Sequence, residues 1–196
     1  LAGHIFKTEE TEDRGRDHLE SHLLMIGPRA LAHPAVRQFW DAYLMSDSKV
    51  LTIQRGEKGF TQAAIAAGLT VQGLLGRERL VDVLAPLSDT ELLQVVRDLA
   101  LHNDAGRRQR EVWLAAASAG QAWREEFLSW ISRELSNSRQ HLLSATFVDP
   151  AIRFGGMGFM KKSSERRFQL ARLAVMRGIE AGRIAPLDPV VTEEVQ

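Results

Sequence analysis

Apolar residues change their spacing along this chain, and the changes mark out its elements. Leu23 to Ile26 form a short apolar run stopped by Gly27-Pro28. That length and that stop suit a buried strand rather than a helix. From Pro34 the period lengthens. Val36, Phe39, Trp40, Tyr43 and Leu44 fall at i, i+3, i+4, i+7 and i+8, on one face of an amphipathic helix. Pro34 suits its first turn, where the missing N–H is not needed. A polar loop then carries Gly56-Glu57-Lys58-Gly59 into a second helix from Thr61, with Gly68 as its C-terminal cap. Val71 to Leu75 predicts another strand.

Beyond residue 76 the pattern is helical. Arg77 to Ala85 reads as a short helix ended by Pro86. Ser88 can cap the next one, with Glu91 three residues on and Leu87 stapling to Leu92. That helix carries Leu92, Val95, Val96 and Leu99 and fades at Asn103-Asp104. A long helix is predicted over 106–135, where Trp113, Ala116, Gly120, Trp123, Phe127, Trp130, Ile131 and Leu135 recur at helical spacing. Small residues between large ones point to close packing against another helix. The three tryptophans could form a sugar-stacking platform, but helical spacing favours a core stripe. His141 to Phe147 is apolar, Pro150 opens a short helix, and 154–159 is a glycine-rich turn without P-loop spacing. A last helix from Ser164 to Ala181 buries Phe168, Leu170 or Ala171, Leu173, Val175 and Ile179 and stops at Gly182. Residues 7–17 form a charged, solvated loop, and the tail with Pro186 and Pro189 frays. No internal repeat is present.

Composition narrows the classes. The chain has 196 residues, enough for one domain or a domain with a helical extension. It is 44% apolar and 26% charged, an ordinary globular balance. With no cysteine, it has no disulfide, no thiolate metal site and no cysteine nucleophile, which fits a reducing compartment. Residues 1–104 hold 11 Lys+Arg against 15 Asp+Glu, and residues 105–196 hold 14 against 10. That swing is too mild for a nucleic-acid footprint. The basic half could still face an anionic ligand or a lipid surface. No apolar run is long enough to span a membrane. No signal peptide is visible, and a chain starting at Leu1 leaves a processed or omitted N-terminus open.

Several polar residues are candidates for chemistry. Glu57 is an isolated acid beside a helix, and loops on a rigid scaffold often carry catalytic groups; its ordinary alternative is an exposed loop acid. His18, Glu20 and His22 alternate, so a strand would place them on one face. Imidazole with carboxylate is a zinc ligand set, but this spacing is not a usual one. Contact with a sugar or acceptor, and a purely structural role, remain the other readings. Lys161, Lys162, Arg166 and Arg167 form the densest basic cluster, which is either a solvated helix start or a hold on a departing diphosphate. Arg107-Arg-Gln-Arg110 is either solvated or in contact with an anionic membrane surface.

One stretch resembles a known family. His18, Leu19, Ser21, Phe39-Trp40, Glu57, Gly59, Thr61 and Gly68 follow the pattern of the rhamnan-synthesis F-type bacterial glycosyltransferases. Glu20 stands where that family usually has Gln, and His22 where it has an aromatic residue. Leu1 to Thr11 resembles the preceding strand and turn. Asn137 to His141 and Gly158 to Lys161 resemble two later segments more loosely. The resemblance is concentrated in residues 1–76. It implies an α+β, mostly α fold, with a partial GT-A-like sheet remnant of two to three short strands and a helical C-terminal region. Residues 1–86 would be the acceptor-side part of the transferase domain and 87–196 a helical extension. It also implies a nucleotide-sugar donor, a glycan or lipid-linked acceptor, and a cytoplasmic location, peripheral at the inner face of the membrane. Glu57 would be the base that takes the acceptor proton, favoured by a helix N-terminus. His18, Glu20, His22 and Lys161 would contact substrate. A divalent metal, Mg or Mn, is expected for the complete enzyme. Its Asp-x-Asp ligands and the N-terminal nucleotide-binding half are not in this chain, and no metal ligand is assigned here.

Two other classes compete. Phe60 to Gly73 has the flavour of a helix-turn-helix, and Gly178 to Pro189 resembles the last helix of TetR-type repressors. The first lacks the two residues that those repressors keep between the Ile-Ala pair and the Ala-Gly turn, and its second helix has no early basic residue, so nucleic acid is the weaker expectation. The other alternative is a non-catalytic helical interaction module. A strand at 22–26 favours the transferase, and a helix there favours the repressor.

Overall fold

Parallel strands need a crossover between them, and the helices over 28–66 supply one. A computed structural model describes residues 2–7, 18–19, 24–75, 77–136, 143–158 and 160–186. The chain falls into two compact units, Leu1–Gly76 and Arg77–Gln196, and is mostly helical with a few short strands.

In the first unit β1 (Ala2–Lys7) is the common partner. It pairs antiparallel with β2 (His18–Leu19), in the register Phe6 to Leu19 and Lys7 to His18. It also pairs antiparallel with β3 (Leu24–Met25), and parallel with β4 (Gln72–Leu75) through Ala2 to Gln72 and Ile5 to Leu75. Between β3 and β4 run α1 (Pro28–Leu31), α2 (Pro34–Ala42), α3 (Lys49–Thr52), a π-helical turn (Ile53–Lys58) and α4 (Gly59–Ala66). The expected buried strand at 23–26 is only β3, and its Met25 is 47% exposed. In α2 the expected apolar stripe is split. Val36 is buried and Phe39 and Tyr43 are half-buried, but Trp40 and Leu44 stand open.

The expected polar loop before Thr61 is helical. Ser48 caps α3, and α3, the π-turn and α4 follow one another without a break. Two glycines made this stretch look like a loop. Gly56 serves a close approach instead, whereas Gly59 is in ordinary contact. A Cβ on Gly56 would lie 3.0 Å from the Tyr43 hydroxyl, and one on Gly59 would lie 3.5 Å from the Phe39 ring.

The second unit contains α5 (Arg77–Leu84), α6 (Asp89–Asp98), α7 (Asp104–Ser118), α8 (Arg124–Ser136), α9 (Val148–Arg153) and α10 (Arg166–Glu180). α5 packs on α8 and α9, α6 on α7 and α9, and α9 on α10. The start of α6 is the expected capping box. The Glu91 carboxylate accepts from the Ser88 amide at 2.9 Å, and the Glu91 amide donates to Ser88 Oγ at 3.3 Å. The Ser88 hydroxyl also donates to that carboxylate at 2.6 Å, and this bond first, then the one from the Ser88 amide, holds the Glu91 carboxyl below its ordinary range. Arg124 then clamps the α5–α6 turn. Its guanidinium donates to the Asp89 carboxylate and to the carbonyls of Ala85 and Leu87, each at 2.6 Å.

The single helix expected over 106–135 is two. Asn103 caps α7 by accepting from the Gly106 amide at 2.7 Å, and the chain leaves α7 through Gly120 at φ +68°. Glycine there is a helix stop, not a packing gap. The tryptophan stripe is core, as its spacing implied. Trp113 lies 5.0 Å from Phe127 and 4.9 Å from Trp130, ring centre to ring centre, and Trp130 lies 5.6 Å from Phe147. In α10, Phe168, Ala171, Ala174, Val175 and Gly178 are buried, whereas Leu173 is 51% exposed against expectation. Among the described residues no helix is long and apolar enough to cross a membrane.

Candidate active site

The π-turn carries Glu57 and lies against β2, which carries His18. One side chain makes the join. Thr61 Oγ1 accepts the Leu19 amide of β2 at 3.1 Å and donates to the Glu57 carbonyl at 2.9 Å. Thr61 is 1% exposed and His18 4%, so this link is dry. A threonine bonding back to the carbonyl four residues earlier competes with the backbone ladder. Here that carbonyl belongs to the π-turn, in which the Gly59 amide reaches the Gln54 carbonyl five residues back. π-turns inside helices recur at functional sites.

Packing fixes the other side of the turn. Phe60 is buried at the start of α4, with the Phe39 and Trp40 rings of α2 each 5.1 Å away. Tyr43 stacks on Phe39 at 5.8 Å and lies over Gly56. Rings in tilted and edge contact hold their partners firmly.

Glu57 is half-buried, but it does not stand at a helix entrance. The run begins at Lys49, so the free amides of a helix N-terminus are not beside Glu57, and the electrostatic help expected from them is withdrawn. The structure brings His18 and Glu57 into one neighbourhood. Glu20 and His22 lie outside the described residues, as do Asn137 to His141. Lys161 belongs to the second unit. Its Nζ lies 5.1 Å from the Phe168 ring centre, and Arg167 lies over the same ring at 4.9 Å. Arg172 donates to the Lys161 carbonyl at 3.3 Å and to that of Ser163 at 3.1 Å, fixing the segment before α10. Thr61 received no role of its own from the sequence, although its spacing of four from Glu57 is the signature of the bond it makes.

A second cluster was invisible in the sequence. Arg153 Nη1 lies 3.3 Å from Asp149 Oδ2 and 3.7 Å from Asp98 Oδ2, and Arg183 Nη2 lies 3.1 Å from Asp98 Oδ1. Asp149 is 1% exposed, and its Oδ1 has no hydrogen-bond partner among the described residues. Burial pushes its carboxyl above the ordinary value, against the pull of Arg153. Two guanidinium groups already neutralise these carboxylates, so the pair does not suit a divalent metal. Among the described residues no group of three or more His, Asp or Glu is placed to hold one. The Mg or Mn expected by resemblance concerns ligands that the resemblance places outside this chain.

Comparison with protein-family models, curated proteins and solved structures finds no match to this chain.

Proposed function

We propose that this chain forms the acceptor side of a bacterial glycosyltransferase, which moves a sugar from a nucleotide-sugar donor to a growing cell-surface polysaccharide or lipid-linked glycan. In this reading Glu57 takes the proton of an acceptor hydroxyl. The hydroxyl oxygen bonds to the anomeric carbon, the bond from that carbon to the diphosphate breaks, and the nucleoside diphosphate leaves with the electron pair. His18 helps hold the acceptor. Lys161 is assigned to the donor diphosphate by resemblance alone, as Glu20 and His22 are assigned to substrate. The cytoplasmic, membrane-peripheral location belongs to the same reading.

The observation that carries it is the Thr61 link, which sets the strand of His18 against the turn of Glu57. Two strands add support. β3 occupies the stretch where a repressor would have a helix. After α4 and Gly68 comes β4, where a helix-turn-helix would need its recognition helix.

The test is Glu57→Gln in the protein that contains this chain, with UDP-, dTDP- and GDP-sugars offered in turn and nucleoside diphosphate release measured with acceptor glycan. Loss of a general base should lower turnover by about 100-fold or more with the circular dichroism unchanged. Undiminished turnover would remove Glu57 from the mechanism.

A further inference from the structure

We infer that Thr61 is a positioning residue: its buried hydroxyl sets the Glu57 backbone and the His18 strand in one fixed relation. This rests on the transferase reading above and deepens it.

The argument is one of hydrogen-bond accounting. β2 is only two residues long, and both are buried. Two residues of strand pairing hold little by themselves. The Leu19 amide needs a partner, since a buried unpaired donor is costly. Thr61 Oγ1 is that partner at 3.1 Å. The hydroxyl hydrogen is then directed at the Glu57 carbonyl, 2.9 Å away. One hydroxyl thus uses both its acceptor and donor capacity on the two backbone segments that bear candidate site residues.

The surroundings leave the turn few other positions. Tyr43 approaches Gly56 closely, and Phe39 is in ordinary contact with Gly59. Thr61 ties the turn to β2. The methyl group is not part of this bridge; serine can make the same two bonds, and valine can make neither. Thr61 meets no substrate in this account, so its effect must pass through Glu57 and His18.

The experiment compares Thr61→Val, Thr61→Ser and Glu57→Gln in the protein containing this chain, with the same nucleotide-sugar probes and acceptor. Misplacement of a catalytic group by about an ångström costs up to about 100-fold in rate. Thr61→Val should therefore lower kcat by up to about that factor, with KM for the donor unchanged and the folded fraction intact. Thr61→Ser should turn over close to the native rate. Wild-type kcat in Thr61→Val overturns the inference. So does a fall shared by valine and serine in step with lost folded protein, which marks a merely structural role. If the valine variant does not fold, Thr61→Ala repeats the test, because it leaves room for water at the Leu19 amide. If alanine fails to fold as well, Thr61 serves stability and the inference is overturned. Full activity of Glu57→Gln is a separate result: it removes the transferase reading itself, whatever Thr61 does.

Discussion

Gly178 has the least room of the described glycines, and Gly178→Ala puts a number on that. A Cβ there would lie 2.7 Å from Ile184 Cδ1, 3.0 Å from Ile184 Cγ1 and 3.2 Å from Asp149 Oδ1. Two effects oppose each other. Inside a helix alanine is better than glycine by about 1 kcal/mol. Overpacking a filled site costs about 1–3 kcal/mol. Cδ1 can swing aside, but the Ile184 backbone that carries Cγ1 cannot simply withdraw, because its amide and that of Arg183 donate to the Gly178 carbonyl at 3.1 and 2.8 Å. Turning its side chain outward would expose a residue now 6% exposed, and moving the chain would pull Arg183 from Asp98. The clash therefore outweighs the helix gain, and a net loss of up to about 2 kcal/mol is expected. Ile184→Val trims the atom in closest conflict and alone costs about 1 kcal/mol. The double variant should be more stable than the sum of the two by about 0.5–1 kcal/mol. Urea denaturation followed by tryptophan fluorescence suits the test, since Trp113, Trp123 and Trp130 lie in this unit and only Trp40 in the other. A Gly178→Ala protein as stable as the native one, or a strictly additive pair, would refute the steric account.

Two further outcomes test the same unit. A carboxyl raised by burial favours folding while protonated, so the contribution of Asp149 is full below the unfolded value of about 3.9 and is lost as pH rises through the folded value. The stability of the native protein relative to Asp149→Asn should therefore fall as pH climbs above about 4, read from urea midpoints across the range; a difference that grows with pH would contradict the burial argument. Gly120→Ala isolates conformation from space. No heavy atom lies within 4 Å of its Cβ position, yet φ is +68°, so the expected cost is about 1–2 kcal/mol from backbone strain alone. A thermal melt that does not move would show that the turn relaxes into another conformation.

What the sequence revealed depended on how far each signal reaches along the chain. Ser88 and Glu91 stand three residues apart, and their capping box was legible because it is complete within one turn. Gly68 and Gly182 were legible as stops for the same reason, and each has positive φ. Gly120 was not, because helical spacing runs through it on both sides: Trp113 and Ala116 precede it and Trp123 and Phe127 follow in phase. Two helices folded back on one core can keep a common period. The Asp98–Asp149–Arg153–Arg183 cluster was out of reach except for its i, i+4 pair of Asp149 and Arg153. Its other members meet only after α6, α9 and the end of α10 have packed.

The candidate site shows the same limit in a form that matters for function. Gly56 and Gly59 flank Glu57, and by local preference alone two glycines so close argue for a loop. Their stability cost in a helix is real, of order 1 kcal/mol each, so something non-local must offset it. The aromatic group of Phe39, Trp40, Tyr43 and Phe60 does so, and at Gly56 a larger residue would crowd the Tyr43 hydroxyl. Thr61 supplies the remaining constraint, through an amide 42 positions away in sequence. An acid in a loop would hold many positions. Here the Glu57 backbone is bound through Thr61 to β2, and the proposed base would need that kind of restriction to meet a hydroxyl at hydrogen-bond distance.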